Sequence, residues 1–260
     1  MNGKVGKLGL PREQVPKAFD QDAGSYDRLV GSNPGYHEHL AKSAERLRLP
    51  GLGDGLRLLD IGCGTGASTA ALLKAAPHAQ IIAADASAEM LEVARGKQWP
   101  DNVTFVHSRV EDLRENGVDG PFDGILAAYL IRNVDDPDTE LKSLHSLLKP
   151  GASIAFHEYS VKESLRARLV WTLVCWAIII PLGYAATRDL TLYKHLWRSV
   201  ASFDGVGEYT RRMQRAGFTS LTNETMTGWQ NGVVHTFLGA RPNETGARPN
   251  ETGARPEDTL

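Results

Sequence analysis

A glycine-rich loop in the first third of the chain carries residue types suited to a ribose-containing ligand. In LLDIGCGTGAST an apolar run ends at Asp60, and Gly62, Gly64 and Gly66 lead into a helical pattern. Glycines allow a tight turn and a close approach of the backbone to a ligand, and the helix behind them presents free N–H groups. The next apolar run ends in Asp85, where a carboxylate can accept hydrogen bonds from a ribose diol.

Two classes of enzyme share a loop of this kind. Gly62, Gly64 and Ala67 also fit the dinucleotide pattern G-x-G-x-x-G/A, so a nicotinamide oxidoreductase is one interpretation. Asp60 favours the other class, because a carboxylate just before the loop repels a pyrophosphate and attracts a cationic amino-acid group. These residues favour a ligand with a ribose and a cationic amino-acid group, and the nicotinamide oxidoreductase remains the alternative.

Strand-like and helix-like segments alternate around this loop. The helical patterns include SAEMLEVARG, with Ser87 as predicted N-cap and Gly96 as predicted C-cap, and DTELKSLHSLLKPGA, which closes at Pro150 and Gly151. Alternation of this kind is typical of a parallel sheet with helices on both faces. A helix near GEYTRRMQRAGF is then followed by two predicted closing strands. The five earlier predicted strands are LRLLDIG, AQIIAAD, NVTFVHS, FDGILAAYL and SIAFHEY.

Several motifs in this order resemble those of class I S-adenosylmethionine-dependent methyltransferases: DIGCGTG, the acid Asp85, HSRVEDL and LLKPGA. The resemblance implies S-adenosylmethionine as cofactor. It also implies a Rossmann-like α/β fold, with a seven-stranded, mostly parallel sheet and helices on both faces. Arg109 stands where that family often has aspartate, which leaves the backbone of Val110 to serve the adenine. The implied cofactor-binding residues are Asp60, Gly62, Gly64, Thr65, Gly66, Asp85, Ala86, Met90, Arg109, Val110 and Ala128.

Segments outside the cofactor motifs resemble the UbiE-type ubiquinone/menaquinone C-methyltransferase family, over about 19–242. Three departures fall on the implied substrate side: Tyr129-Leu130 replaces Phe-Gly, Trp229-Gln230 precedes the last strand, and HEYS, which begins at His157, replaces LEFS. The resemblance also implies a helical cap insertion between strands 5 and 6. The residues that match the family pattern are Tyr26, Arg132, Asn133, Glu158, Pro181, Gly183, Tyr193, Leu196, Ser199, Phe203 and His235.

This second resemblance implies methylation of a ring carbon of a lipid-soluble quinol or a related phenol. Arg132 would stabilise the developing phenolate, and Tyr26 and Asn133 would orient the hydroxyl group. His157 is the first candidate for the general base, with a hydrogen-bonded structural histidine as the alternative. Other interpretations are an O- or N-methyltransferase acting on another lipid or secondary metabolite, and a cofactor-binding scaffold without catalysis.

Composition and charge argue against several other kinds of function. A formal net charge of -2 gives no electrostatic reason to bind nucleic acid, and Cys63 and Cys175 form no CxxC pair, so we expect no metal site. The N-terminal stretch lacks an apolar signal region, which predicts a cytoplasmic protein. We expect a flexible N-terminus at 1–20, a methyltransferase domain at 21–240 with its cap at about 161–204, and a disordered GARPNET repeat tail at 241–260.

The stretch LVWTLVCWAIIIPLGYAA, 169–186, contains no charged side chain. It falls short of the roughly 20 residues of a spanning helix, and Pro181 and Gly183 are expected to interrupt it. Trp171, Trp176 and Tyr184 suit an interface between water and acyl chains, and basic residues flank both ends. We predict a cap that admits a small lipophilic substrate and docks peripherally on the cytoplasmic face of a membrane. A spanning helix and an ordinary core helix are the alternatives.

Overall fold

The computed structural model describes residues 35–188 and 190–243. Its sheet has seven strands in the order β3-β2-β1-β4-β5-β7-β6. The strands are β1 Arg57–Ile61, β2 Gln80–Asp85, β3 Val103–His107, β4 Phe122–Ala128, β5 Leu148–Tyr159, β6 Thr219–Thr225 and β7 Val234–Ala240. The α-helices are α1 Tyr36–Glu45, α2 Ala67–Ala75, α3 Ala88–Arg95, α4 Pro137–Leu147, α5 Leu165–Val174, α6 Ile180–Thr187, α7 Thr191–Ser202 and α8 Val206–Arg215.

The first five strands pair in parallel, and β7 runs antiparallel between β5 and β6. This confirms the prediction of a seven-stranded, mostly parallel sheet. The strand order reverses at β1, which has β2 on one side and β4 on the other. In open α/β sheets ligands bind at such a reversal, outside the carboxyl ends of the strands. The glycine loop after β1 and the segment after β4 both lie at this edge.

Alternate residues of the central strands enter two separate cores, because successive side chains in a strand point to opposite faces. Leu58 packs in one core with α1 and α2, and Leu59 packs in the other with α4 and α8. In β5, Ala155 belongs to the first core and Phe156 to the second. Helices therefore cover both faces of the sheet, as predicted.

The helix ends follow local sequence signals. Ser87 caps α3 by accepting a hydrogen bond from the backbone N–H of Met90, and Gly96 ends the helix, both as predicted. The predicted end of α4 is wrong. The helix stops at Leu147, and Leu148 already pairs with Phe122 as the start of β5. Pro150 disfavours a helical conformation for Lys149, and the pairing of Leu148 with Phe122 ends the helix one residue earlier.

Four helices, α5 to α8, separate β5 from β6, where the cap insertion was predicted. The expected break at Pro181 is wrong. A π-helical turn, Cys175–Ile179, joins α5 to α6, and Pro181 falls in the first turn of α6. The wider π-helical turn directly before Pro181 accommodates a residue without an N–H, so the helix continues through it. Within the described residues, Leu165–Ala185 is the one helix long and apolar enough to cross a membrane, by length and composition alone.

This long helix is buried on one face only. Ala167, Trp171 and Cys175 enter a third core with Tyr159 of β5 and Tyr193 of α7. The burial of Trp171 contradicts its assignment to a lipid interface, since its side chain is fully enclosed by protein. The opposite face exposes large apolar side chains: Leu165, Leu169, Leu173, Trp176, Ile178, Leu182 and Tyr184. We call these seven residues the outer apolar face.

Candidate active site

The glycine loop connects β1 to α2 through three glycines with positive φ, at +75° for Gly62, +54° for Gly64 and +93° for Gly66. A Cβ atom on Gly66 would lie 2.7 Å from the Trp99 ring, and one on Gly62 would lie 3.2 Å from Leu130 Cδ1. No described atom comes within 4 Å of a Cβ built on Gly64. Gly62 and Gly66 are therefore required by packing, whereas Gly64 faces open space that a ligand could fill.

Asp60 provides a buried carboxylate behind this loop. Its Oδ2 accepts hydrogen bonds from Ser68 Oγ at 2.8 Å and Thr69 Oγ1 at 2.6 Å. Its Oδ1 is buried and has no hydrogen-bond partner among the described residues. Burial raises the pKa of Asp60 to about 7, against the effect of the two hydrogen bonds. An ammonium group would satisfy this oxygen and its charge, so Asp60 fits the amino-acid part of S-adenosylmethionine.

Asp85 ends β2 and holds the loop from the other side. Its Oδ2 accepts the backbone N–H of Gly64 at 2.7 Å, and its Oδ1 accepts that of Ser87 at 2.8 Å. These bonds fix the glycine loop and the start of α3 against one carboxylate. The carboxylate lies at the strand end, where a ribose diol binds in folds of this type.

The other predicted cofactor residues fall into two groups. Thr65 and Met90 are buried, and the Thr65 carbonyl accepts a hydrogen bond from Lys97 Nζ at 2.8 Å. Ala86 and Ala128 lie beside the ends of β2 and β4 and are partly exposed. Backbone contacts are therefore the ones that Thr65, Ala86 and Ala128 can offer, since their side chains are small or enclosed.

Arg109 and Val110 differ in what their side chains can offer to a ligand. Val110 is buried in the core. The half-exposed Arg109 side chain forms ion pairs with Glu111 at 3.5 Å and Asp135 at 3.6 Å. The guanidinium is thus engaged at the surface with two carboxylates. This arrangement agrees with an adenine contact through the backbone of Val110 and leaves the Arg109 contact a prediction.

The segment after β4 carries a buried ion pair. Arg132 Nη1 donates to Glu158 Oε1 at 2.6 Å and to the carbonyl oxygen of Tyr129 at 3.0 Å. The side chains are only 5% and 1% exposed, respectively. Arg132 Nε and Glu158 Oε2 are buried without a hydrogen-bond partner in the described part of the chain. Asn133 Nδ2 also donates to the Tyr129 carbonyl, at 3.2 Å, so both predicted residues meet at this strand end.

Aromatic rings surround this ion pair. The Tyr129 ring stacks on Tyr159 with centroids 4.9 Å apart and on Tyr36 with centroids 6.2 Å apart. Arg132 Cζ lies 5.6 Å from the centroids of both Tyr129 and Tyr159. His195 of α7 is also near, and burial together with the Arg132 charge lowers its pKa to about 4. Flat aromatic walls beside a cation suit a planar ring that develops negative charge.

His157 is fully buried in β5. Ser43 Oγ lies 2.8 Å from Nδ1, and the Tyr129 hydroxyl lies 2.9 Å from Nε2, so protein atoms engage both ring nitrogens. Burial lowers the pKa of His157 to about 3, which disfavours its protonation. The structure therefore does not bring His157 to the acceptor as a base. Tyr26, the fourth predicted catalytic residue, lies outside the described residues.

The sequence reasoning missed Tyr159 and Ser43. Tyr159 could have been found, since it ends β5 directly after Glu158 and therefore reaches the same sheet edge. Ser43 gave no signal, because only the packing of α1 against β5 brings it to His157. Among the described residues, no group of three or more His, Cys, Asp or Glu side chains could hold a metal ion.

The two parts of the site touch each other. Leu130, which precedes the Arg132 turn, packs against Gly62 of the glycine loop. A ligand held by Asp60 and Asp85 and a second ligand held at Arg132 would therefore lie next to each other. This arrangement suits the transfer of a group from one to the other.

Comparisons with known proteins agree with this geometry. The model of the ubiE/COQ5 methyltransferase family matches residues 8–241. The chain belongs to the ubiE/COQ5 methyltransferase family. It is 32% identical over 231 residues to demethylmenaquinone methyltransferase of Clavibacter sepedonicus, covering 88% of this chain and 91% of that one. It is 29% identical over 235 residues to demethylmenaquinone methyltransferase of Staphylococcus aureus, covering 90% and 95%.

Solved structures of other methyltransferases share the fold. The chain superposes with a TM-score of 0.61 on a Thermotoga maritima protein described as an S-adenosylmethionine-dependent methyltransferase, possibly a histamine N-methyltransferase. The identity is 21%, and the match covers 87% of this ubiE/COQ5 chain and 99% of the other. Together with the family match, this confirms the prediction of a class I S-adenosylmethionine-dependent methyltransferase and disfavours the nicotinamide oxidoreductase.

Proposed function

We propose that this methyltransferase transfers the methyl group of S-adenosylmethionine to a ring carbon of a lipid-soluble quinol. The observation that carries the proposal is the buried Arg132 guanidinium beside the rings of Tyr129 and Tyr159. Its Nε has no partner among the described residues, so it can donate to a ring oxygen. The names of the two demethylmenaquinone methyltransferases support a quinol as the acceptor.

The residues of the chain divide the work between the two ligands. When bound, S-adenosylmethionine supplies an electrophilic sulfonium methyl group. Asp60 and the glycine loop would hold the amino-acid part, and Asp85 would hold the ribose. Arg132 would favour the ionised form of the acceptor hydroxyl and so raise the electron density on the neighbouring ring carbon. The rings of Tyr129 and Tyr159 would keep water from this carbon while it attacks the methyl group. The bond between sulfur and the methyl group breaks, S-adenosylhomocysteine is released, and the methylated ring carbon then loses its proton to the solvent.

The test uses the full chain, methyl-labelled S-adenosylmethionine and a short-chain demethylmenaquinol kept reduced with dithiothreitol. We expect one labelled product whose fragmentation places the methyl group on a ring carbon. Label on the quinol oxygen would show an O-methyltransferase instead. Calorimetry that shows cofactor binding, combined with no transfer to the quinol or to a membrane lipid extract, would favour a cofactor-binding scaffold.

We also propose that the outer apolar face docks on an anionic membrane surface from the cytoplasmic side. Trp176 and Tyr184 in this face suit the boundary between water and acyl chains. The flanking residues Lys162, Arg166 and Arg168 are exposed and basic, which suits acidic lipid headgroups. Because Tyr193 and Tyr159 lie in the core beneath this helix, docking would place the acceptor site close to the bilayer that holds the prenyl tail.

Vesicle sedimentation can test this surface. We expect the native chain to pellet with vesicles containing phosphatidylglycerol and to pellet less with phosphatidylcholine alone. A Leu169→Ser/Leu173→Ser double variant should bind roughly tenfold more weakly, because two exposed leucines no longer transfer into the bilayer. Leu52→Ser is the matched control, since Leu52 is equally exposed in the turn Pro50–Gly53, outside the outer apolar face.

Three results would contradict membrane docking. One is equal vesicle binding by the native chain and the double variant. Another is a native dimer in light scattering that the double variant abolishes without any change in vesicle binding, which would assign the face to a second copy. The third is native protein that resists extraction by alkaline carbonate, which would indicate a spanning helix.

A further inference from the structure

A chain of hydrogen bonds with a buried centre links Arg46, at the C-terminal end of α1, to Tyr129 in the acceptor site. Arg46 Nη1 donates to Thr236 Oγ1 at 2.6 Å. Thr236 Oγ1 lies 2.7 Å from Ser43 Oγ, which lies 2.8 Å from His157 Nδ1. His157 Nε2 lies 2.9 Å from the Tyr129 hydroxyl. Ser43, Thr236 and His157 are fully buried, so these bonds are made without competition from water.

The direction of the bonds follows from the Arg46 end. A guanidinium can only donate, so Thr236 Oγ1 accepts there. Among the described residues the partners of Thr236 Oγ1 are Arg46 and Ser43, and its single proton is used only if it donates to Ser43. Ser43 then donates to His157 Nδ1. The ring proton of His157 is consequently on Nε2 and is donated to the oxygen of Tyr129.

Tyr129 is the end of this chain that faces Arg132. Because its oxygen already accepts from His157, its own proton serves the hydrogen bond with Tyr159 and, when an acceptor binds, can be turned to the ring oxygen instead. The backbone of Tyr129 is held in an unusual conformation, with φ at +56°, and its carbonyl accepts from Arg132 and Asn133. Side chain and backbone are thus both fixed at the strand end.

We propose that this chain makes Tyr129 a positioned, polarised hydroxyl donor for the ring oxygen of the acceptor, beside Arg132. Each donation polarises the next, and the first donor, Arg46, is itself held by an ion pair with Glu224 at 3.0 Å. The proposal rests on the proposed function. It adds the Tyr129 hydroxyl to Arg132 as a second group that binds the ring oxygen of the acceptor. Tyr129 and His157 replace the phenylalanine and leucine of the UbiE-type pattern, so two departures of this sequence meet in one hydrogen bond.

The first test compares Tyr129→Phe with the native chain on the short-chain demethylmenaquinol. We expect kcat to fall by roughly tenfold to hundredfold, with unchanged affinity for S-adenosylmethionine, since a donor that stabilises developing charge acts mainly in the transition state. Tyr209→Phe is the matched control. Tyr209 is fully buried in the core and its hydroxyl has no hydrogen-bond partner among the described residues, so turnover should not change. Native turnover in Tyr129→Phe would overturn the proposal.

The second test asks whether the buried links act through Tyr129. Ser43→Ala should lower kcat less than Tyr129→Phe does, because Tyr129 remains but is no longer held and polarised. In the Tyr129→Phe background, Ser43→Ala should cause no further loss. A purely structural role predicts losses that add, and this result would overturn the proposal.

The third test separates charge stabilisation from packing by varying the acceptor. A ring-fluorinated quinol ionises more readily and needs less help from a hydroxyl donor. The loss of kcat caused by Tyr129→Phe should therefore be smaller with this acceptor. The stability of the variant is the same with either acceptor, so it cannot account for such a difference. An equal loss with both acceptors would contradict the assigned role. Failure of the native chain to methylate a ring carbon of either quinol would instead refute the proposed function.

Discussion

The donor and acceptor halves of the site are built by different means. In the donor half, backbone groups and two carboxylates come from a continuous stretch that runs from Asp60 to Ser87. In the acceptor half, side chains come from α1, β4, β5, β7 and α7, which are far apart in the sequence. The donor half offers peptide N–H groups, whereas the acceptor half offers tyrosine rings, a guanidinium and hydroxyl groups.

Because of this difference, the residues that bind the methyl donor are separate from those that select the acceptor. Backbone groups present the same atoms whatever side chains they carry. In the donor half, therefore, mainly the glycine and acid positions require a particular residue type. The acceptor half depends on side chains, and a change such as phenylalanine to tyrosine adds a polar group directly to the site. Changes of acceptor are therefore expected to arise in the second half, and four experiments test how independent the halves are.

The largest effect is expected in the donor half. Asp60→Asn should weaken S-adenosylmethionine binding by roughly a hundredfold or more, because a buried ammonium group loses its counter-charge. Isothermal titration calorimetry measures this affinity. Asp123→Asn is the control, since Asp123 binds Lys149 Nζ at the opposite end of the sheet and should not affect the cofactor. Unchanged affinity in Asp60→Asn would exclude Asp60 from the cofactor site.

Arg132→Gln should impair the acceptor half of the site and leave the donor half intact. We expect a loss of about a hundredfold in kcat with unchanged cofactor affinity, and a lower Tm because Glu158 is left buried without its partner. Adding Glu158→Gln should restore stability, since two neutral amides can hydrogen-bond, but not turnover. Restored turnover in this double variant would remove the guanidinium from the chemistry.

The pH dependence of cofactor affinity gives a smaller and graded effect. The pKa of Asp60 is raised to about 7 from 3.8, so the carboxyl group takes up a proton as the pH falls through 7. A cationic ligand requires the carboxylate, so Kd should rise by about tenfold per pH unit below 7 and be constant above it. Titrations from pH 8 to 5.5 measure this slope. Asp60→Asn should show a flat profile over the same range, and a flat native profile would contradict the assignment.

The smallest effect is expected at Arg109. Arg109→Ala removes ion pairs with Glu111 and Asp135 that are partly exposed, and such pairs contribute little to stability. If the adenine is bound by the backbone of Val110, cofactor affinity should change by less than about twofold. A loss of tenfold or more would show a direct contact between the guanidinium and the cofactor.

The donor half could be predicted from the sequence because its contacts are local. The carboxylate of Asp85 meets the Gly64 N–H across neighbouring parallel strands, and alternation of strands and helices already brings these ends together. The position of Arg132 and Asn133 followed from the same argument. The pairing of Arg132 with Glu158 also required knowing that β4 and β5 are neighbours in the sheet. The engagement of His157 could not be predicted, because it depends on how α1 packs against β5.

Helix features outside the sheet were harder to predict. Pro181 was expected to break the helix. The helix continues because the wider π-helical turn before Pro181 accommodates a residue that has no N–H to donate. The burial of Trp171 and the exposure of Trp176 depend on which face of this helix meets Tyr159 and Tyr193. Both faces of the helix are apolar, so the sequence does not show which one is buried, and only the tertiary structure distinguishes them.

The contact between Gly62 and Leu130 sets the length of the path that the methyl group travels. Reacting atoms must approach to about 3–3.5 Å in line, and the two binding sites are in close packing contact here. A methyl group on residue 62 would push the two sites apart by a few tenths of an ångström. We expect a Gly62→Ala variant to bind both ligands with native affinity and to transfer the methyl group more slowly, which would make this contact a spacer that affects rate and not binding.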